Sequence, residues 1–396
     1  MALHFFRSCS SIEENIFTLG IVNIVMANEM LRNMYKSRPP PLPPHFGDDD
    51  DESSDDILHN SFSSLTAVHP FKMNRSANYS LSDRYAPLAW NEYFENKRYL
   101  TVPGDRAEEA EITFNIYETH GNSGAPVFVM HHGAGLSALS FALTAKEIKN
   151  IVNKDASVLS FDCRGHGETM SSDDNNLSLD RLAKDLKNVI HAVYGDHPPE
   201  IILVGHSMGG AVVSEAASRG MIPNLIGVAV LDIVEGVAIE TLANMNGWLE
   251  KRPNMFRSLD KVVQWGVKSG TVRNVESARV SCPSLVILSK DSTVENPCYI
   301  WRTDLAASEQ YWKEWFTGLT QKFLSAKAGR LLVLAGTDRL DKDMTIAQMQ
   351  GKFQMLVFPN SGHAIQEDEP DRMAHELVAF WKRNERLVLP PRPFLP

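Results

Sequence analysis

Cysteine is scarce in this chain. Four occur in 396 residues, Cys9, Cys163, Cys282 and Cys298, with no CxxC pair and no spacing that joins them to histidines as metal ligands. This argues against a disulfide-framed scaffold and against a zinc module, and a reducing compartment, cytoplasmic and/or nuclear, is the expectation. No G-x-G-x-x-G turn and no Walker loop appears, so no cofactor and no metal are expected.

Long apolar runs are missing too. The stretch from Ile16 to Met26 is interrupted by Asn23 and is too short to span a bilayer. Glu13 and Glu14 flank it and no clear small-residue cleavage site follows, so it reads poorly as a signal peptide, and no membrane partner is expected. Positive charge is in deficit: Lys and Arg total 39 against 49 Asp and Glu, a formal net charge of −10. With no basic stripe interleaved with aromatics, a nucleic-acid binder that neutralises phosphates is not expected, and protein or small-molecule partners are favoured.

What is present suits a globular protein, with 43% hydrophobic and 22% charged residues. The length suggests one large domain plus additions. Between Ser37 and Asp56 five prolines (Pro39, Pro40, Pro41, Pro43 and Pro44) precede an acidic run, a composition unable to bury enough apolar surface to fold alone. Residues 1–84 therefore read as a largely disordered extension, proline-rich and then acidic, and residues 85–396 as the folded domain.

Within that domain short β-branched runs alternate with helix-period stretches, the mark of an α/β protein with a mostly parallel central sheet flanked by helices. The runs from Pro126 to Met130, Ser157 to Phe161, Glu200 to Val204 and Leu225 to Leu231 are apolar throughout and read as buried parallel strands. The same signal recurs from Arg330 to Leu334 and from Gln354 to Phe358. Leu179, Leu182, Ala183, Leu186, Val189, Ile190 and Val193 keep a helical period, which predicts a crossover helix. Pro370 opens a last helix that carries Met373, Ala374, Leu377, Val378 and Trp381 inward. Residues 237–327 break the alternation. Their aromatics (Trp248, Phe256, Trp265, Trp301, Trp312, Trp315, Phe316, Phe323) follow helix spacing, which predicts a mostly helical cap insertion over the C-terminal ends of the strands, with most of these rings packing the cap's own core.

The pentapeptide Gly205-His206-Ser207-Met208-Gly209 matches G-x-S-x-G, follows a strand and precedes a helix-forming run. That context predicts a nucleophile elbow on an α/β-hydrolase fold. A serine hydroxyl is a poor nucleophile at neutral pH, so it needs a base, and the base needs a third group to fix its tautomer. His363, in Asn360-Ser361-Gly362-His363-Ala364, lies after the acid candidates in the expected order and just beyond a strand; His375 falls on the surface pattern of the last helix. Two aspartates compete for the acid, Asp232 and Asp338, and spacing does not choose between them. The N–H groups of Met208 and of Ala134, in His132-Gly133-Ala134-Gly135, are candidate oxyanion donors. Asp162-Cys163-Arg164-Gly165-His166-Gly167 reads as scaffold, with Arg164 and His166 orienting loops.

From about Pro87 to Trp381 the chain resembles the protein phosphatase methylesterases. The resemblance is carried by Leu203-Val204-Gly205-His206-Ser207-Met208-Gly209-Gly210-Ala211, Asp232-Ile233-Val234-Glu235-Gly236, Trp265-Gly266-Val267-Lys268-Ser269-Gly270, Arg273-Asn274-Val275-Glu276-Ser277-Ala278-Arg279-Val280, Asp338-Arg339-Leu340-Asp341-Lys342-Asp343 and Gln348-Met349-Gln350-Gly351-Lys352-Phe353-Gln354-Met355. Generic hydrolases do not share the last four. Members of that family remove the methyl ester from the C-terminal leucine of the protein phosphatase 2A catalytic subunit, so the resemblance implies that activity and that partner. It also implies Asp232 as the acid, because the family's triad aspartate precedes the Val-Glu-Gly segment. Asp338 then becomes structural or substrate-side. Two departures stand out. The family's His-Gly-Gly-Gly turn has Ala134 here, which keeps its N–H unless the turn needs positive φ at that residue, and a long acidic cap loop of some members is replaced by a short stretch around Pro283 to Pro297. A generic carboxylesterase and a non-catalytic phosphatase-binding protein are the alternatives.

Overall fold

The structure is a computed structural model that describes residues 84–104, 111–336 and 340–385, all of which fall within one compact unit, Ser76–Pro396. The proline-rich and acidic stretches, and Asp338, lie outside the described residues.

Ten strands occur among the described residues: β1 (Asn96–Val102), β2 (Ile112–Thr119), β3 (Val127–His131), β4 (Ser157–Phe161), β5 (Ile201–His206), β6 (Leu225–Leu231), β7 (Val286–Leu288), β8 (Tyr299–Trp301), β9 (Gly329–Leu334) and β10 (Gln354–Val357). Eight of them form one sheet in the order β1-β2-β4-β3-β5-β6-β9-β10. β2 runs antiparallel to both its neighbours, and every pairing from β4 to β10 is parallel. The central strands are buried along their whole length, as Val127–His131 and Ile201–His206 illustrate, because helices cover both faces. β10 is only partly buried, being the sheet edge, which corrects the reading of Gln354 to Phe358 as apolar on both sides. β1 and β2 carry no apolar run to announce them. Asn115 and Glu118 of β2 are buried polar residues: Asn115 Nδ2 donates to Asp162 at 2.8 Å, and Glu118 accepts from Arg98 at 2.8 Å.

The α-helices are α1 (Ala142–Val152), α2 (Leu179–Tyr194), α3 (Met208–Ser218), α4 (Glu235–Glu250), α5 (Leu259–Lys268), α6 (Val275–Ser281), α7 (Glu309–Phe316), α8 (Leu319–Ser325), α9 (Lys342–Met349), α10 (Ile365–Asp368) and α11 (Pro370–Asn384). Ser178 caps α2 by accepting the Arg181 N–H, and the helix buries Leu179, Leu182, Ala183, Leu186, Val189 and Ile190 in the same core as α3. On the other face α11 starts at Pro370 and packs beside α1. Its Trp381 meets Phe128 edge to face, with centroids 6.2 Å apart. No described helix is long and apolar enough to cross a membrane.

The chain leaves the sheet after β6 and returns at β9. Between them lie α4 to α8 and the hairpin of β7 and β8, whose turn carries the fully exposed Val294. Helix spacing misplaces two aromatics there: Trp301 lies on β8, and Phe256 bridges to Tyr299 outside any helix. Trp265, Trp301 and Phe256 form an edge-to-face cluster, but Trp312, Trp315, Phe316 and Phe323 join the core shared with α2 and α3 rather than a separate one. Trp315 also donates from Nε1 to the Leu177 carbonyl at 2.7 Å. Glu235 accepts the N–H groups of Gly318 and Thr320 at the start of α8, and Asp341 caps α9 while accepting the Thr320 hydroxyl.

Candidate active site

β5 runs directly into α3, and Ser207 occupies the turn between them at φ 53° and ψ −118°. A non-glycine residue there carries backbone strain of about 1–3 kcal/mol. The flanking glycines are sterically required. A Cβ on Gly205 would stand 2.2 Å from the Gly209 carbonyl oxygen, and one on Gly209 would stand 2.2 Å from that of His131. The Ser207 N–H bonds the Leu231 carbonyl at 3.0 Å, tying the elbow to the end of β6.

Asp232 follows at once, with φ 50° and its N–H bonded to Val333 at 2.8 Å. Its buried carboxylate accepts the Ala335 N–H at 2.8 Å on one oxygen and His363 Nδ1 at 2.8 Å on the other. A carboxylate beside Nδ1 holds the imidazole with Nε2 free to accept a proton. The His363 side chain is 56% exposed, so that nitrogen can meet a substrate.

The loop that carries His363 is fastened at several points. His206 Nε2 lies 2.8 Å from the His363 carbonyl oxygen, Asp368 accepts the N–H of Gly362 at 2.6 Å and that of Arg273 at 2.7 Å, and Arg273 Nη1 donates to Asn360 O at 2.7 Å. The sequence pattern assigned no role to His206, Arg273 or Asp368. The signal available was position: His206 sits inside the elbow motif, and Arg273 opens one of the stretches absent from generic hydrolases.

Ala134 follows Gly133, which lies so close to the elbow that a Cβ on it would stand 3.1 Å from Ser207 Cβ. Ala134 is not among the residues at positive φ, whereas Gly135 is (φ 73°), so the alanine fits the turn. The Gly135 N–H donates to His166 Nε2 at 2.9 Å, and His132 receives the Cys163 N–H at 3.0 Å. These bonds couple the turn to the Asp162–Gly167 loop. Arg164 is held there by Asp185 at 2.9 Å, and Asp162 accepts the Ala138 N–H at 2.8 Å. Met208 begins α3, where helix geometry leaves its N–H without an intrahelical partner. Burial pushes His131 and His166 down to about 4 and His206 down to about 3, and it holds His132 well below the usual range. All four are neutral at physiological pH. His375 is exposed on α11.

A half-buried serine on a strained elbow, a carboxylate-oriented imidazole and the N–H groups of the adjoining turns make up the parts list for acyl transfer. On this sheet they define an α/β hydrolase, and residues 128–376 match the model of the alpha/beta hydrolase family. The fold is shared with solved structures at low identity. An E-2-(acetamidomethylene)succinate hydrolase superposes with a TM-score of 0.58 at 18% identity over 72% of this chain and 100% of that one. An alpha/beta hydrolase from Novosphingobium aromaticivorans gives 0.54 at 16% over 72% and 98%. Sequence relatives are far nearer. Protein phosphatase methylesterase 1 of Aspergillus oryzae is 44% identical over 78% of this chain and 75% of its own, and that of Bos taurus is 40% identical over 76% and 87%. The chain belongs to the protein phosphatase methylesterase family and is a carboxylic ester hydrolase.

Proposed function

We propose that the protein hydrolyses the methyl ester on the C-terminal leucine of the protein phosphatase 2A catalytic subunit, with Ser207 as nucleophile, His363 as base, Asp232 as orienting acid, and the N–H groups of Ala134 and Met208 as the oxyanion hole. The observation that carries this reading is the 2.8 Å bond between Asp232 and His363 beside the Ser207 elbow in a member of this family. Ser207 Oγ adds to the ester carbonyl as its proton passes to His363 Nε2. The oxyanion collapses, methanol leaves with that proton, and a water activated by the same imidazole releases the carboxylate and restores Ser207. Cytoplasm and/or nucleus is the proposed setting, supported by free thiols at Cys163, Cys282 and Cys298.

Methyl release from methylated phosphatase tests the reading. Ser207→Ala must abolish release while leaving phosphatase binding intact. Equal turnover of small aryl esters, with no preference for the phosphatase, would instead favour a general carboxylesterase.

A further inference from the structure

His206 touches all three parts of the site without belonging to any of them. It immediately precedes the nucleophile on the chain. Its Nε2 lies 2.8 Å from the backbone carbonyl oxygen of His363, and a carbonyl only accepts, so Nε2 carries the proton and donates. On its other side, Nδ1 would stand 2.8 Å from a Cβ at Gly133, so the ring lies against the backbone of the oxyanion turn. Nδ1 has no partner and is buried. The ring centroid is 4.7 Å from that of His363, and the residue is 1% exposed.

We infer that His206 is a positioning residue, a neutral spacer that sets the distance between the oxyanion turn and the loop bearing the base by clamping the His363 carbonyl. The inference rests on His363 acting as the base. Gripping the main chain rather than the ring leaves His363 Nε2 free to shuttle its proton. Neutrality is part of the fit: when His363 becomes an imidazolium, a charged neighbour at this range would oppose it, and burial, which holds His206 down to about 3, removes that charge.

The other three buried rings differ in tautomer. His131, His132 and His166 each place Nδ1 against a carbonyl, at 3.0, 2.8 and 2.9 Å, and so carry the proton there. Only His206 of the four carries it on Nε2.

The test compares His206→Leu, which fills the space without a donor, with His206→Gln, whose amide can reach the same carbonyl. The readouts are phosphonylation of Ser207 by a fluorophosphonate and the kcat and KM of methyl release. The Leu variant is expected to lose on the order of 10²-fold in phosphonylation rate and in kcat with KM little changed, as for a misplaced catalytic group, and the Gln variant to recover most of the loss. A folded Leu variant labelled at the parent rate, or a Gln variant as impaired as Leu, overturns the inference. Failure of the parent itself to be labelled would instead overturn the reading of Ser207 and His363. The unmutated protein gives a reading independent of folding: nitrogen-15 spectra of histidine-labelled protein should contain a ring that stays neutral and Nε2-protonated across about pH 5 to 9. Absence of that ring overturns the inference as well.

Discussion

Asp232 holds His363 by one carboxylate oxygen and the Ala335 N–H by the other, both at 2.8 Å, so one carboxylate ties the imidazole to the residue that follows β9. Replacing it by asparagine keeps the shape and supplies the wrong partner for Nδ1. Asp232→Asn is expected to lower kcat for methyl release by about 10⁴-fold, the cost of a wrong tautomer in a triad of this kind. Asp338→Asn is expected to cost much less. The reverse ranking would give the acid role to Asp338.

The strain at Ser207 makes a stability prediction that activity assays do not. Glycine accepts φ 53°, ψ −118° without a Cβ clash, so Ser207→Gly should melt higher than Ser207→Ala by the equivalent of about 1 kcal/mol or more, with both variants inactive. Equal melting temperatures would mean that the elbow is not strained.

Asp368 is shared by the N–H groups of Gly362 and Arg273. Asp368→Ala leaves two backbone donors without their acceptor, and a loss of about 1–3 kcal/mol in stability is expected, along with reduced kcat. Arg273→Ala removes one exposed donor to Asn360 and should lower kcat with little change in denaturation midpoint.

Acid should unfold the protein through its buried imidazoles. In the unfolded chain a histidine takes up a proton near about 6.5, whereas His131 and His166 resist to about 4 and His206 to about 3. Their folded values are depressed by burial, so the stability they contribute is present above the unfolded value and is lost as pH falls toward the folded ones. Calorimetry at decreasing pH should show a falling melting temperature below about 6.5 and net proton uptake on unfolding. A flat profile down to about pH 4 would contradict the burial of these rings.

Glu367 works with the opposite sign. Burial raises its carboxyl well above the ordinary range, although the Ser281 hydroxyl donates to it at 2.5 Å. An unfolded glutamate ionises near about 4.3, so the native state gains from the neutral form below that value and loses the gain as pH rises through the higher folded one. Glu367→Gln keeps an acceptor for Ser281 and should melt above the parent in alkaline buffer while matching it in acid.

The centre of the fold was legible because strands covered on both faces must be apolar throughout, and the runs ending near Phe161 and Leu231 could hardly be anything else. β1 and β2 escaped notice because neither carries an unbroken apolar run, and β2 buries the polar Asn115 and Glu118 among its apolar residues. Nothing near Asn115 indicates that Asp162 will accept its amide N–H. Trp301 followed helical spacing by coincidence, and its place on β8 depends on Val286, fifteen residues earlier. In the site, Ser207 and His363 were readable because an elbow is a local motif and chain order is constrained. The choice of Asp232 over Asp338 came from family resemblance, since spacing carries no information about which aspartate reaches Nδ1. His206, Arg273 and Asp368 act through backbone groups far along the chain, and a backbone acceptor leaves no trace in residue identity.

The hairpin of β7 and β8 turns at Val294 in full solvent, while the site is gripped by residues of other segments. Extra length at that tip would add loop-closure entropy that grows only slowly with size and would disturb no hydrogen bond to His363. The turn is thus a place where chain can be inserted or removed while the chemistry below is left unaltered.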